Sequence, residues 1–416
     1  MTNRPRRPLW AGRILALSGI LLVAWNLRTA VAALSPIITQ VSADIPLGVL
    51  AVSVLGMLPP VCFAVFGIVT PMFSRWWGLE WSLVVALVAI LAGHLLRGAS
   101  GSLAMLMIAS VIGFAGLGMG NVLLPPLVKK YFPDRIGLVT SLYATVLAVS
   151  TLVPPLVAVP VADTAGWRVS LGMWALLAGV AIVPWLAMIV RERRRAASPH
   201  PHPPTADVPV EEADPALLRG IWSSPIAWAI AVVFGTSSLN AYSMFAWLPE
   251  LLQESAGLSP AHAGVMLSLF AGMGIPTGLV IPVLTARMKN VGLLVYLGAL
   301  LFIVGDLGLM LLPGTATFVW VAFAGLGPLL FPLALVLINL RTRTHEAAIA
   351  LSGFVQSVGY TLGALGPLFV GILREVTGGW FWPIVFLLAT AVAATVAATV
   401  VARPHMLEDD LAARER

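Results

Sequence analysis

Twelve apolar runs divide the chain, at about residues 14–40, 48–73, 80–99, 102–128, 137–162, 169–190, 223–252, 260–286, 291–312, 316–340, 346–373 and 380–402. Each is long enough to cross a bilayer as a helix, which takes about 17–25 residues. Of the 416 residues, 59% are hydrophobic and only 10% charged. A soluble domain carries about 25% charged residues. The chain is therefore expected to be an all-α polytopic membrane protein of twelve transmembrane helices. The net charge of +6 then reads as positive residues kept on cytoplasmic loops, with no nucleic acid partner.

The arginine-rich start, MTNRPRRPLWAGR, precedes a run longer than a signal-peptide core, so that run is expected to stay as the first helix. Between runs six and seven lies RERRRAASPHPHPPTADVPVEEADPALLRG, which is polar and rich in proline. This divides the chain into a six-helix half (1–190), a cytoplasmic linker (191–222) and a second six-helix half with a short tail (223–416). His200 and His202 sit among linker prolines and read as solvated residues, not metal ligands. With alternating helices, Arg75, Lys129, Lys130, the linker arginines, Arg287, Arg341 and Arg403 all fall on the side of the termini. The opposite loops offer mainly Arg97, Arg168 and Arg374. Both termini are thus expected in the cytoplasm.

The two halves repeat. Gly67–Pro71 matches Gly278–Pro282, the GLG at Gly116–Gly118 matches that at Gly325–Gly327, and the AGW ending at Trp167 matches the GGW ending at Trp380. Asn26 matches Asn240, and the four offsets stay between 209 and 214 residues. Parallel repeats related by an axis along the membrane normal place a substrate site near the midplane, between the halves.

One residue stands out in that frame. Between Ile14 and Val41 the only ionisable side chain is Arg28. An arginine at helix centre costs about 2.5–3.5 kcal/mol on insertion scales and usually faces a bundle interior or a wet cavity. The repeat aligns Arg28 with Tyr242, so the two are expected to face one cavity from opposite walls as substrate-binding groups. Gln356 and Tyr360 join the binding candidates, since Ser352, Gln356, Tyr360 and Gly363 share one face of helix eleven. Asn26 and Asn240 are counted with them, although two residues is about 200° round a helix and turns them from the cavity unless the helix unwinds. His94 and Asp306, again repeat partners, are candidate proton carriers; hydrogen bonds to adjacent helices are the structural alternative.

The stretches WNLRTAVAALSPI and GNVLLPPLVKKYFPDRIGLVTSLYATVLAVS resemble the cyanate and nitroimidazole permease family of major facilitator transporters. The loop segment GIVTPMFSRWWG keeps Arg75 of the superfamily signature but has Ser74 where an acid is usual. The resemblance implies the major facilitator fold with two parallel six-helix halves. It also implies a monomer that moves a small anionic or polar, nitrogen-containing solute, with protons as a coupling ion to be tested. Proton-coupled export of a drug or nitroimidazole is the alternative, and a membrane sensor a further one. No nucleophile–base motif, metal-ligand cluster or cofactor motif is present in the sequence, and Cys62 is the single cysteine.

Overall fold

The computed structural model describes residues 13–196, 220–403 and 405–412. Most of the linker, with His200 and His202, lies outside the described residues. Among the described residues the fold is all-helical and contains eleven helical spans long and apolar enough to cross a membrane. One of these, Val49–Gly98, is 50 residues long, which at 1.5 Å per residue would extend about 75 Å, far beyond a bilayer core of about 30 Å. It turns at Gly78, where φ is 77° and ψ is 167°, a conformation that glycine adopts without a Cβ clash. The turn yields two spans and a total of twelve. In chain order they are α1 (Ile14–Asp44), α2 (residues 49–77), α3 (residues 79–98), α4 (Leu103–Tyr131), α5 (Ile136–Ala165), α6 (Trp167–Arg191), α7 (Pro225–Ala256), α8 (Pro260–Arg287), α9 (Gly292–Leu311), α10 (Thr317–Leu340), α11 (His345–Thr377) and α12 (Phe381–Val401).

The repeat is visible in packing. A Cβ on Gly93 of α3 would lie 2.5 Å from the Gly113 backbone of α4, so these helices touch at bare backbone. Their repeat counterparts are Gly305 of α9 and Ala324 of α10, where the same approach is 2.4 Å. Small residues at such crossings let helices associate closely in lipid, where no hydrophobic force drives them together. Large apolar side chains such as Ile108, Leu176, Val183 and Val396 are exposed, as residues facing hydrocarbon should be.

On the face away from the chain termini, the halves meet tightly. A Cβ on Gly56 would lie 2.7 Å from the Ala246 Cβ and 3.0 Å from that of Pro367; one on Gly264 would lie 2.7 Å from the Pro155 carbonyl oxygen. Toward the termini face, Gly67, Gly137, Gly278 and Gly353 have open space where a Cβ would stand. The halves are thus sealed against each other at the face away from the termini.

Each half carries a matching clamp at the sealed face. Asp44 at the end of α1 accepts from the Trp167 Nε1 at 3.0 Å and pairs with Arg168 at 2.5 Å. Glu254 at the end of α7 accepts from the Trp380 Nε1 at 2.7 Å and pairs with Arg374, which also reaches Glu250 at 2.8 Å. The repeated tryptophan thus marks a repeated acid–indole–arginine contact that pins the first helix of each half to its last ones.

At the termini face, Arg13 pairs with Asp134 at 2.6 and 3.1 Å, holding the start of α1 to the loop between α4 and α5. The guanidinium holds the Asp134 carboxyl below the usual carboxylate range. A carboxylate whose pKa is lowered by folding adds stability above its unfolded pKa of about 3.9 and loses it as pH falls through the folded value. The melting temperature of Asp134→Asn is therefore expected to fall less steeply than that of the native chain below about pH 4. Parallel curves would show that the pair contributes nothing.

Candidate functional site

The first helix is not continuous. It runs as Ile14–Asn26, Thr29–Ala32, a 3-10 turn at Ser35–Ile37 and Ile38–Asp44. Pro36 accounts for the second break, since it lacks an N–H and its ring clashes with the preceding turn. The first break falls at Leu27 and Arg28, where φ of Arg28 is −127° and ψ is −11°. Its repeat partner α7 stays helical from Pro225 to Ala256. Carbonyls released in α1 need donors, because unpaired backbone is costly in hydrocarbon. Side chains supply them: Thr29 Oγ1 donates to the Asn26 carbonyl at 3.0 Å, Arg28 to that of Leu27 at 3.3 Å, and Arg97 to that of Ala30 at 2.9 Å.

The break presents Arg28 to a cluster drawn from both halves. Its guanidinium lies 5.2 Å from the centre of the Phe63 ring on α2. Phe63 packs edge-on against Tyr242 of α7 at 6.5 Å and Tyr360 of α11 at 6.0 Å. Among the described residues, Arg28 makes no ion pair. One arginine, with a single weak bond to its own chain, therefore faces two tyrosines and a phenylalanine.

Gln356 lies one turn along α11 from Tyr360, half-buried, and donates to Ser352 Oγ at 2.8 Å. Asn26 and Asn240 do not join the cluster. Asn26 Nδ2 donates to the Leu22 carbonyl at 2.8 Å and to that of Leu177 on α6 at 3.4 Å. Asn240 Nδ2 donates to Thr236 and to Thr390 Oγ1 on α12, both at 2.9 Å. The unwinding at Arg28 does not swing Asn26 inward. Through Nδ2, each asparagine fastens the first helix of its half to the last.

His94 and Asp306 also lie apart. His94 Nδ1 is 3.2 Å from the Leu171 carbonyl on α6, within the first half. Asp306 is fully buried within α9, and neither carboxyl oxygen has a hydrogen-bond partner among the described residues. Near the end of α2, Ser74, which stands where the superfamily signature has an acid, donates to the Pro71 carbonyl at 2.9 Å. The buried acid nearby is Glu80, paired with Lys130 at 2.8 Å and accepting from Tyr131 at 2.5 Å.

The charged residue that the sequence reading passed over is Arg97. It counts there as a loop arginine at the end of α3, yet its side chain reaches inward and is only 2% exposed. With Ala30, Ser35, Leu55, Phe114 and Tyr242 it lines a cavity between the halves.

A sequence profile for the Major Facilitator Superfamily matches residues 16–364. The chain is 31% identical to the 2-nitroimidazole transporter of Escherichia coli (strain K12), over 89% of its own length and 91% of that protein's. It is 26% identical to the cyanate transport protein CynX of the same strain, over 87% and 90% of the two lengths. Among solved structures it superposes on a bacterial homologue of the human lysosomal transporter Spinster, in an inward-facing and occupied conformation, with a TM-score of 0.74. That match covers 97% of this chain and 99% of the other at 13% identity, a likeness of fold alone. Twelve spans in two repeated halves are thus the architecture of a known class, and the chain belongs to the Major Facilitator Superfamily of transporters.

Proposed function

We propose that this transporter moves a small anionic or strongly polar, nitrogen-containing solute by alternating access across a bacterial plasma membrane. In this reading the face with both termini is cytoplasmic, as the arginine asymmetry of the loops suggests, and the chain works as a monomer. The observation that carries it is Arg28: a membrane-embedded guanidinium, exposed by a helix break and lacking any acid partner among the described residues. A charge of this kind calls for a counter-charge, and the solute supplies it. The guanidinium presents five donors in a planar fork and stays charged at any relevant pH. Tyr242 and Tyr360 add hydroxyls from the opposite half, with Gln356 further along the same wall.

Alternating access follows from this placement. Arg28 belongs to the first half and the two tyrosines to the second, so a bound anion bridges the parts that must rock against each other. No proton is needed for that step. A second reading, proton-coupled export of a nitroimidazole, is favoured by Asp306 alone, whose partnerless carboxyl suits a group that takes up and releases a proton.

Flux in liposomes decides between them. Nitrate and cyanate are expected to exchange across the vesicle membrane without a pH gradient. Movement of 2-nitroimidazole only under a proton gradient would favour the second reading. Absence of flux for every anion and for the nitroimidazole would overturn both.

A further inference from the structure

The cavity beside Arg97 has no role in the binding reading built on Arg28. Its polar groups are few, and two of them have atoms without a hydrogen-bond partner among the described residues. Arg97 spends one Nη on the Ala30 carbonyl, its Nε has no hydrogen-bond partner, and it makes no ion pair among the described residues. Ser35, 8% exposed on the same wall, has an Oγ without a partner. Buried polar atoms are paired in most native structures, and each exception calls for a ligand, a water or a role. The rest of the wall is apolar: Leu55, Phe114 and Phe245 among others, with the Arg97 guanidinium 5.6 Å from the Phe114 ring centre.

Position along the chain gives the cavity its place. Arg28 and Ala30 are two residues apart across the break in α1, so Arg97 is anchored one step nearer the sealed face. Gly56 and Ala246, which meet in the seal, also line the cavity. Tyr242 belongs to both sites: it lines this cavity and packs on Phe63 beside Arg28.

We infer that Arg97, Ser35 and Tyr242 form a second anion station, stacked on the first along the transport path. Its ligand class is a compact monoanion of a few heavy atoms that sheds water readily. The apolar wall sets that choice, because moving a strongly hydrated anion such as sulfate into it costs far more than the few donors return. This rests on the anion reading of Arg28 and deepens it: the solute passes between two arginines presented by one broken helix, with Tyr242 shared between them. Arg97 then has two tasks, capping the Ala30 carbonyl and receiving the anion with its unused N–H groups.

The test measures equilibrium binding of labelled thiocyanate to the purified full chain, with sulfate as competitor. Arg97→Gln removes the donor that holds α1 and is a poor probe, so Ser35→Ala and Val31→Trp are used; Val31 lines the cavity and tryptophan would fill it. Ligand-free melting confirms that each variant is folded. The expectation is two thiocyanate sites in the native chain, neither displaced by equimolar sulfate, and one site remaining in Arg28→Gln. In that background Ser35→Ala weakens the remaining site by about 10-fold or more, the cost of one hydrogen bond to a charged group, and Val31→Trp removes it. If Arg28→Gln abolishes all binding, the second station falls while the Arg28 reading stands. A remaining site that ignores both Ser35→Ala and Val31→Trp places the second anion elsewhere and also overturns the inference. If the native chain binds neither thiocyanate, nitrate nor cyanate, both readings fall together.

Discussion

Arg28→Ala is expected to weaken binding of the proposed anionic solute by about 10- to 150-fold, the loss of a charge-assisted interaction worth roughly 1.5–3 kcal/mol. Flux at low solute concentration should fall with it. Arg28→Lys keeps the charge but replaces a planar fork with a compact ammonium that cannot grip an anion at two points, so it is expected to fall between alanine and the native chain. Tyr242→Phe removes one neutral hydrogen bond and should cost about 0.5–1.5 kcal/mol. The competing explanation is structural: Arg28 donates to the Leu27 carbonyl at 3.3 Å and could serve only to satisfy the broken helix. That bond is long and local, and a lysine can replace it. Ligand affinity measured alongside ligand-free melting separates the two. Native affinity with a lowered melting temperature in Arg28→Lys would assign Arg28 to bracing and move the solute elsewhere.

The architecture was legible because length and apolarity leave few choices in a membrane. Twelve runs gave twelve spans, and the repeat register aligned Tyr242 with Arg28 across the molecule before any coordinates. The geometry that gives Arg28 its setting was not legible in the same way. Pro36 announces a break in α1, but the one at Leu27 and Arg28 has no proline or glycine to mark it, and α7 at the matching register does not break. The asparagine pair was legible by counting: a two-residue offset pointed them away from the cavity, and their bonds to Leu177 and Thr390 agree. Arg97 was missed for a physical reason. A long side chain at a helix end can turn back into the protein as readily as out to solvent, and only its burial and its bond to Ala30 show which. The paired AGW and GGW segments were readable as repeat anchors. Their chemistry, an indole and an arginine on one acid, needed Asp44 and Glu254 to be seen beside them.

The seal between the halves sets the last expectation. Gly56 of α2 lies against Ala246 of α7 and Pro367 of α11, with room for no side chain: a Cβ there would be 2.7 Å from one and 3.0 Å from the other. Gly56→Leu would therefore wedge the halves apart at the closed face. Overpacking of a fitted contact costs about 1–3 kcal/mol. Applied to one of two states, that cost lowers its population by about 5- to 150-fold relative to the other. A transporter that must visit the sealed state in every cycle should lose flux by a similar factor. Gly56→Ala, with only the Cβ to accommodate, should lose less. The loss is a matter of conformational balance and not of folding, since the interiors of the two halves do not meet at this residue. Gly56→Leu should accordingly melt near the native temperature and still bind an anion at Arg28, while transporting poorly. Native flux in Gly56→Leu would mean that the contact at Gly56 is not a gate. Loss of melting and binding together would make it a folding position.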